Sequence, residues 1–390
     1  IYLQNYFVIK DVDLYDEKKI SLISDRMKSL LFMKEIKPMT VTFNADKAKV
    51  SVFANKKKNS QFDGVLGVLP NSQSTGKLLL TGEVNLSLVN AFSRGEMMSL
   101  NWRKLQQNTQ DLKVSFIYPY LLNTPLGADI KFKLYKNDTL YVNIERNAGL
   151  RYMYSGTNYI KAFIENRSSA LISTVSYKNA TVLPSYADLA VNLYGLEVYL
   201  QRLDYILNPR RGFSLTVSGS AGNKKIKKNI DLPEELYVGL KLSSAQYKIM
   251  CQTSVYIPWK QKSVFKIDNA AAKLESDNIF INELFKIGGL KSLRGFDEES
   301  ITASFYNILT LEYRYILEQN SFLFAFINGA YYESRPLNDF IHDTPYGFGA
   351  GVCFETKAGI FSISYALGKQ FNNPIYFRSA KIHFGLVNYF

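Results

Sequence analysis

The chain has 390 residues with 27 Tyr, 26 Phe, 21% charged residues and a net charge of +13. It holds no run of about 18 apolar residues, which excludes a transmembrane helix, so a membrane-spanning form must be a closed β-barrel. Two isolated cysteines (Cys251, Cys353) and two distant histidines (His342, His383) give no basis for a disulfide framework, a zinc site or a histidine-centred active site.

The N-terminal region has mixed character. The sequence starts at Ile1 without Met or a signal-peptide pattern, which says nothing about export, and the chain is expected to continue upstream. Asp16 to Met33 reads as one amphipathic helix, with Ile20, Leu22, Ile23, Met27, Leu30 and Leu31 at helical spacing. Strands are predicted over Met39 to Phe43 and Lys49 to Phe53, joined by the polar turn Asn44-Ala45-Asp46-Lys47.

From about Gln61 the pattern becomes period-two alternation and stays so to the end. Val84, Leu86 and Leu88 oppose Glu83, Asn85 and Ser87; Ile130, Phe132 and Leu134 oppose Asp129, Lys131 and Lys133; Leu309, Leu311 and Tyr313 oppose Thr310, Glu312 and Arg314. Alternating residues point to opposite faces of a sheet, here one face for lipid and one for a wet lumen. A soluble sandwich is the rival, but its core favours Val, Ile and Leu over so many Tyr.

About sixteen strands fit between Gln61 and Phe390, an even number as in bacterial single-chain barrels. The connections support the count by parity. Asn208 to Gly212, Pro258 to Gln261, Glu318 to Asn320 and Glu355 to Ala358 are short, and those near 222–237, 274–302, 333–344 and 370–378 are long.

The basic clusters Lys56-Lys57-Lys58 and Lys224-Lys225-Ile226-Lys227-Lys228 are expected in separate turns. Solvated loop charge, contact with lipopolysaccharide phosphates or anionic headgroups, and nucleic acid are the three uses open to them, and the absence of a helix presenting them on one face disfavours the last.

The most distinctive segment is Phe285 to Phe296, with Gly288, Gly289, Leu293, Arg294, Gly295 and Phe296 at its core. It resembles the sixth outer loop of the outer-membrane protein assembly and secretion superfamily that includes BamA, TamA and the two-partner-secretion transporters. The resemblance implies an all-β transmembrane barrel, residues 59–390, whose sixth loop (274–302) folds into the lumen with Arg294 held by the wall. The family's acidic partner on strand thirteen is here Asn328, so Glu312 on strand twelve, next to Arg314, is the candidate charged partner. Arginine suits the task because its fork of five donors can pin a loop to several acceptors. Gly347, Gly349 and Gly351 share one face of strand fourteen, where close approach by the inserted loop is expected.

Further likenesses follow. Ile382, Phe384, Leu386 and Phe390 resemble the family's terminal barrel signal, and Asn208-Pro209-Arg210-Arg211-Gly212-Phe213 its periplasmic turn. Residues 1–58 resemble part of an α+β POTRA domain, a periplasmic module that takes up extended chain by strand addition. The implied partners are outer-membrane lipids including lipopolysaccharide, unfolded outer-membrane or secreted clients, and accessory lipoproteins, without nucleic acid, metal or cofactor. The implied place is the bacterial outer membrane with the N-terminal domain in the periplasm. Assembly by lateral opening between first and last strands is favoured over secretion through the lumen, and a passive or structural barrel is the rival of another class. No Gly-x-Ser-x-Gly, Walker loop or paired carboxylates with a histidine point to an enzyme, and Ser218-Gly219-Ser220-Ala221-Gly222 is offset from the elbow spacing.

Overall fold

The computed structural model describes the backbone of residues 2–387 except 12, 29, 31, 46, 58, 71–77, 105–107, 178–179, 338 and 357–358; side chains at 28, 65–70, 78–81, 176, 379 and 386–387 are also outside the description.

The N-terminal region builds α1 (Tyr2–Phe7), α2 (Glu17–Ser21), α3 (Ile23–Lys28), β1 (Met33–Asn44) and β2 (Lys47–Lys56). Asp16 caps α2 by accepting from the amides of Lys18 (2.9 Å) and Lys19 (3.3 Å). The helix expected from Asp16 to Met33 is broken at Leu22, which faces solvent while Ile20, Ile23 and Met27 are buried. Leu31 lies outside the described residues. The hairpin is longer than its apolar cores suggest, running to a tight Asn44↔Lys47 closure, with register shifts on both sides of Lys37, the second spanning Pro38, which cannot donate to a ladder. The helix α1 carries no repeat long enough to be read in sequence. It fills the space between this hairpin and the barrel, where Tyr6, Phe7, Ile23, Met27 and Phe32 pack with Val89 and Tyr120.

The barrel strands are β3 (Gln61–Pro70), β4 (Leu78–Val89), β5 (Met97–Lys104), β6 (Gln110–Tyr118), β7 (Leu126–Asn137), β8 (Tyr141–Ser155), β9 (Asn158–Leu171), β10 (Asp188–Leu203), β11 (Gly212–Lys227), β12 (Ser243–Lys260) and β13 (Ser263–Ser276). After a long connection holding β14 (Phe285–Ile287) and β15 (Ile301–Ala303) come β16 (Phe305–Ile316), β17 (Phe322–Ser334), β18 (Ile341–Asp343), β19 (Tyr346–Thr356), β20 (Gly359–Lys369) and β21 (Lys381–Val387). Seventeen of these follow one another in a single antiparallel ring. Because β18 and β19 both pair with β17 in one continuing register, they are one strand interrupted at Thr344-Pro345, which leaves sixteen strand positions.

Burial is inverted relative to a soluble protein. Leu196 is 61% exposed on the outside, whereas Lys161 is 1% exposed on the inside. Apolar side chains outside and ion pairs inside are what lipid around a polar lumen requires. Trp259, Phe265 and Tyr313 cluster on the outer surface near the short-turn end, an aromatic girdle residue set.

The lysine run at 224–228 is not a turn. β11 extends to Lys227, so Lys224 and Ile226 face inward while Lys225 and Lys227 face outward, and the outer connection is 228–242 rather than 222–237. Likewise β12 runs on to Lys260, leaving Gln261-Lys262 as the turn.

The ladders are regular around most of the ring, β10 to β11 pairing from Asp188↔Lys227 to Leu203↔Gly212 without a shift. The last strand, β21, comes beside the first, β3.

Candidate functional site

The connection 277–304 enters the lumen because it carries its own apolar side. Ile287, Leu293, Phe296, Ile301 and Ala303 bury against Ile308, Ala330 and Tyr332 of the wall. Inside the loop, β14 pairs with β15 from Phe285↔Ala303 to Ile287↔Ile301. The chain then reverses through Gly288 (φ 110°) and Gly289 (φ 98°), a conformation closed to most side chains. The turn is fixed by Ser292, whose hydroxyl accepts from the Gly288 amide and donates to the Gly288 carbonyl, both at 2.9 Å.

At the tip, Arg294 Nη1 lies 2.7 Å from Glu312 Oε2, and its guanidinium sits 3.5 Å from the centre of the Phe326 ring. Arg314 reaches the loop through Glu312. It holds the other carboxylate oxygen of Glu312 at 2.8 Å and donates to Asn208 Oδ1 at 2.9 Å, tying the tip to the short 204–211 turn. Asn328 works differently from the expectation that it would accept from the guanidinium. Its Nδ2 donates to the main-chain carbonyl of Arg294 at 3.3 Å, which a carboxylate cannot do.

The glycines divide. A side chain at Gly347 would run into the Arg294 carbonyl, so this position does make room for the loop. Gly349 and Gly351 do not face it; they leave space for the rings of Phe326 and Phe324, on which Arg294 rests. A glycine outside the predicted set matters as much: Gly295 (φ 98°) meets the main chain of Leu367 and Gly368, and Phe296 covers Gly368. Ile382 and Phe384 point outward; Phe390 and the side chain of Leu386 lie outside the described residues.

Sequence reasoning missed the stem. The single turn Ile281–Glu283 sits against the opposite wall, with Lys224 and Glu283 both fully buried and 3.0 Å apart. Glu283 also accepts from the Phe280 amide at 2.9 Å and Gln246 Nε2 at 3.4 Å. Asn282 accepts from the Ala187 amide and donates to Ser169 Oγ and the Ala187 carbonyl, while Asn143 and Arg167 donate to its own carbonyl. Phe280, wholly buried, packs with Leu183, Leu189, Ile226 and Tyr237 under the outer connections. A carboxylate within a long connection has no periodicity to reveal it, and its partner is hidden in a lysine run.

Beyond the tip, three consecutive acids reach the wall. Asp297 Oδ1 lies 2.7 Å from Lys381 Nζ, Glu298 Oε1 3.6 Å from Arg103 Nη1, and Glu299 Oε1 2.6 Å from Arg103 Nη2, which also meets Asp111 at 3.2 Å. Burial works against the charge on Glu299, but the Arg103 guanidinium holds its carboxyl below the usual range. Lys286, 3.5 Å above the Tyr135 ring, is pushed down to about 8 by burial, with Glu299 opposing the shift. Beneath the loop remain cavities of about 580 and 300 Å³, lined by Lys113, Lys131, Lys133, Glu145 and Glu165 among others.

A sixteen-position barrel, a long connection folded inside it and an arginine at the tip on a strand-twelve glutamate make a combination that a comparison of families can decide, and the Omp85 superfamily domain matches residues 90–390. The chain belongs to the Omp85 superfamily. As a member it is an outer-membrane β-barrel of the class that inserts or transports proteins. No curated protein matches its sequence. Among solved structures this Omp85 barrel is similar to BamA from Haemophilus ducreyi lacking POTRA domains 1–3 (16% identity, TM-score 0.56, covering 100% of this chain and 81% of that one). It is also similar to CdiB from Escherichia coli (12%, 0.63, 100% and 74%) and CdiB from Acinetobacter baumannii (14%, 0.60, 100% and 71%). At these identities the likeness is one of fold.

Proposed function

We propose that this Omp85 barrel is an assembly factor that inserts proteins into the outer membrane by parting β21 from β3, with residues 1–58 acting as a partial POTRA domain that delivers extended clients. The observation that carries this reading is the Omp85 superfamily match together with a ring that closes where its first and last strands, β3 and β21, meet. Unpaired strand edges template further β-pairing, which is the step an inserting barrel has to offer. The occupied lumen weighs against a passive pore. In this reading the outward Ile382 and Phe384 belong to a terminal signal, the outer lysines meet lipopolysaccharide phosphates, and accessory lipoproteins bind the periplasmic face.

A second reading, secretion of an unfolded partner through the lumen, is favoured by the charged cavity under the loop. A disulfide placed between β3 and β21 separates the two. Loss of client insertion on oxidation, regained on reduction, is expected for lateral opening; full activity of the oxidised barrel would transfer the function to the lumen.

A further inference from the structure

The segment Gly295 to Glu299 crosses the inner face of the region where β21 meets β3. On one side Gly295 lies against β20 and Asp297 is paired with Lys381 at the outer end of β21. On the other side Glu298 and Glu299 share Arg103 near the outer end of β5, two strands past β3. The gap between β21 and β5 is three strand spacings, roughly 14 Å, which five residues and their long side chains can span. Within the loop Glu298 also accepts from the Leu290 amide at 3.2 Å, whereas the carboxylates of Asp297 and Glu299 are turned to the wall at Lys381 and Arg103. Glu299 is moreover a non-glycine residue at φ 55°, a backbone form that persists only where the surroundings impose it, and Arg103 is the group that its side chain meets.

We propose that Asp297, Glu298 and Glu299 form a strap across the inside of the seam, and that the seam opens by release of the Lys381 end. The two ends differ in exposure. The Asp297 and Lys381 side chains are 72% and 36% exposed, against 26% and 13% for Glu299 and Arg103, so water and salt loosen the β21 end first. The loop then stays on β5, and β21 is the edge that swings. The strap deepens the lateral-opening reading and rests on it for its purpose, though not for its geometry.

The test uses spin labels at Phe62→Cys and Phe384→Cys, outward positions on β3 and β21, in the full chain with Cys251 and Cys353 replaced by Ser and reconstituted in lipid. Lys381→Gln is expected to raise the separated population about two- to fivefold, the range an exposed ion pair carries. Arg103→Gln should raise it further, and the exchange Asp297→Lys with Lys381→Asp should restore the parent distribution. Gel mobility before and after heating shows that each variant has folded; if Arg103→Gln does not fold, Lys381→Gln and the exchange decide alone. Unchanged distances in Lys381→Gln, or an exchange that fails to restore them, overturn the strap even if a seam disulfide still abolishes insertion. Conversely, a shifted distance with full activity of the disulfide-closed barrel overturns lateral insertion and leaves the strap standing.

Discussion

The two attachments of the inserted loop are built from the same kinds of residue and differ in their access to water. At the stem, Lys224 and Glu283 are fully enclosed, and the neighbouring Asn282 is bonded to β8, β9 and the 172–187 connection. At the strap, Asp297 and Lys381 are open to solvent. A buried pair is costly to break, since removing one partner strands a charge away from water, whereas an exposed pair exchanges readily with water and salt. The difference divides the loop into an anchor and a release point, with Arg294 between them.

That division sets the order of expected effects. Glu283→Ala leaves Lys224 buried without its carboxylate and should cost about 3–5 kcal/mol. It would be read as a marked fall in the temperature at which the barrel loses its folded mobility on a gel. The double variant Lys224→Met/Glu283→Met should recover most of that loss, because apolar replacements of a buried pair are often neutral or better. A mild single variant, or a double variant no better than the single, would break the contrast between stem and strap. Arg294→Ala comes next, at about 2–3 kcal/mol, because Glu312 keeps Arg314. It should also lower client insertion, and unchanged activity would remove the tip from the function.

Lys381→Gln should change thermal stability by no more than about 1 kcal/mol while altering insertion activity, so that stability and function separate at this end only. Acidification gives the smallest effect. Glu299 is held below its ordinary value, so its contribution is present above the unfolded carboxyl range near 4.3 and is lost as pH falls through and below it. Between pH 6 and pH 3 the wild-type gel transition should fall more than that of Glu299→Gln, and parallel curves would show that the Arg103 contact does not hold the loop.

The barrel was legible in the sequence because lipid and lumen impose opposite demands on alternate residues, a signal repeated in every strand. The tip was legible for a different reason: its aliphatic-Arg-Gly-aromatic segment resembles the family's sixth outer loop, and the fold then puts Gly288, Gly289 and Gly295 at positive φ. The Glu283 anchor was not, because a lone carboxylate in an irregular segment becomes meaningful only when the fold brings Lys224 to it. The same lysine misled the strand boundary, since its burial could not be read from a charge-rich run. The break at Leu22 escaped because apolar spacing continues across it; only the fold shows Leu22 turned to solvent between the buried Ile20 and Ile23.

One consequence lies in the wall behind the tip. Gly347, Gly368 and Gly295 meet as bare backbone, so the barrel carries an imprint of the loop written as missing side chains. An alanine at any of the three acts as a wedge whatever its polarity, and no charge elsewhere can compensate for it. The loop and strands β19 and β20 can therefore change only together, which makes this contact a single heritable unit: grafting the loop of another barrel onto this chain would succeed only if its two receiving strands were moved with it.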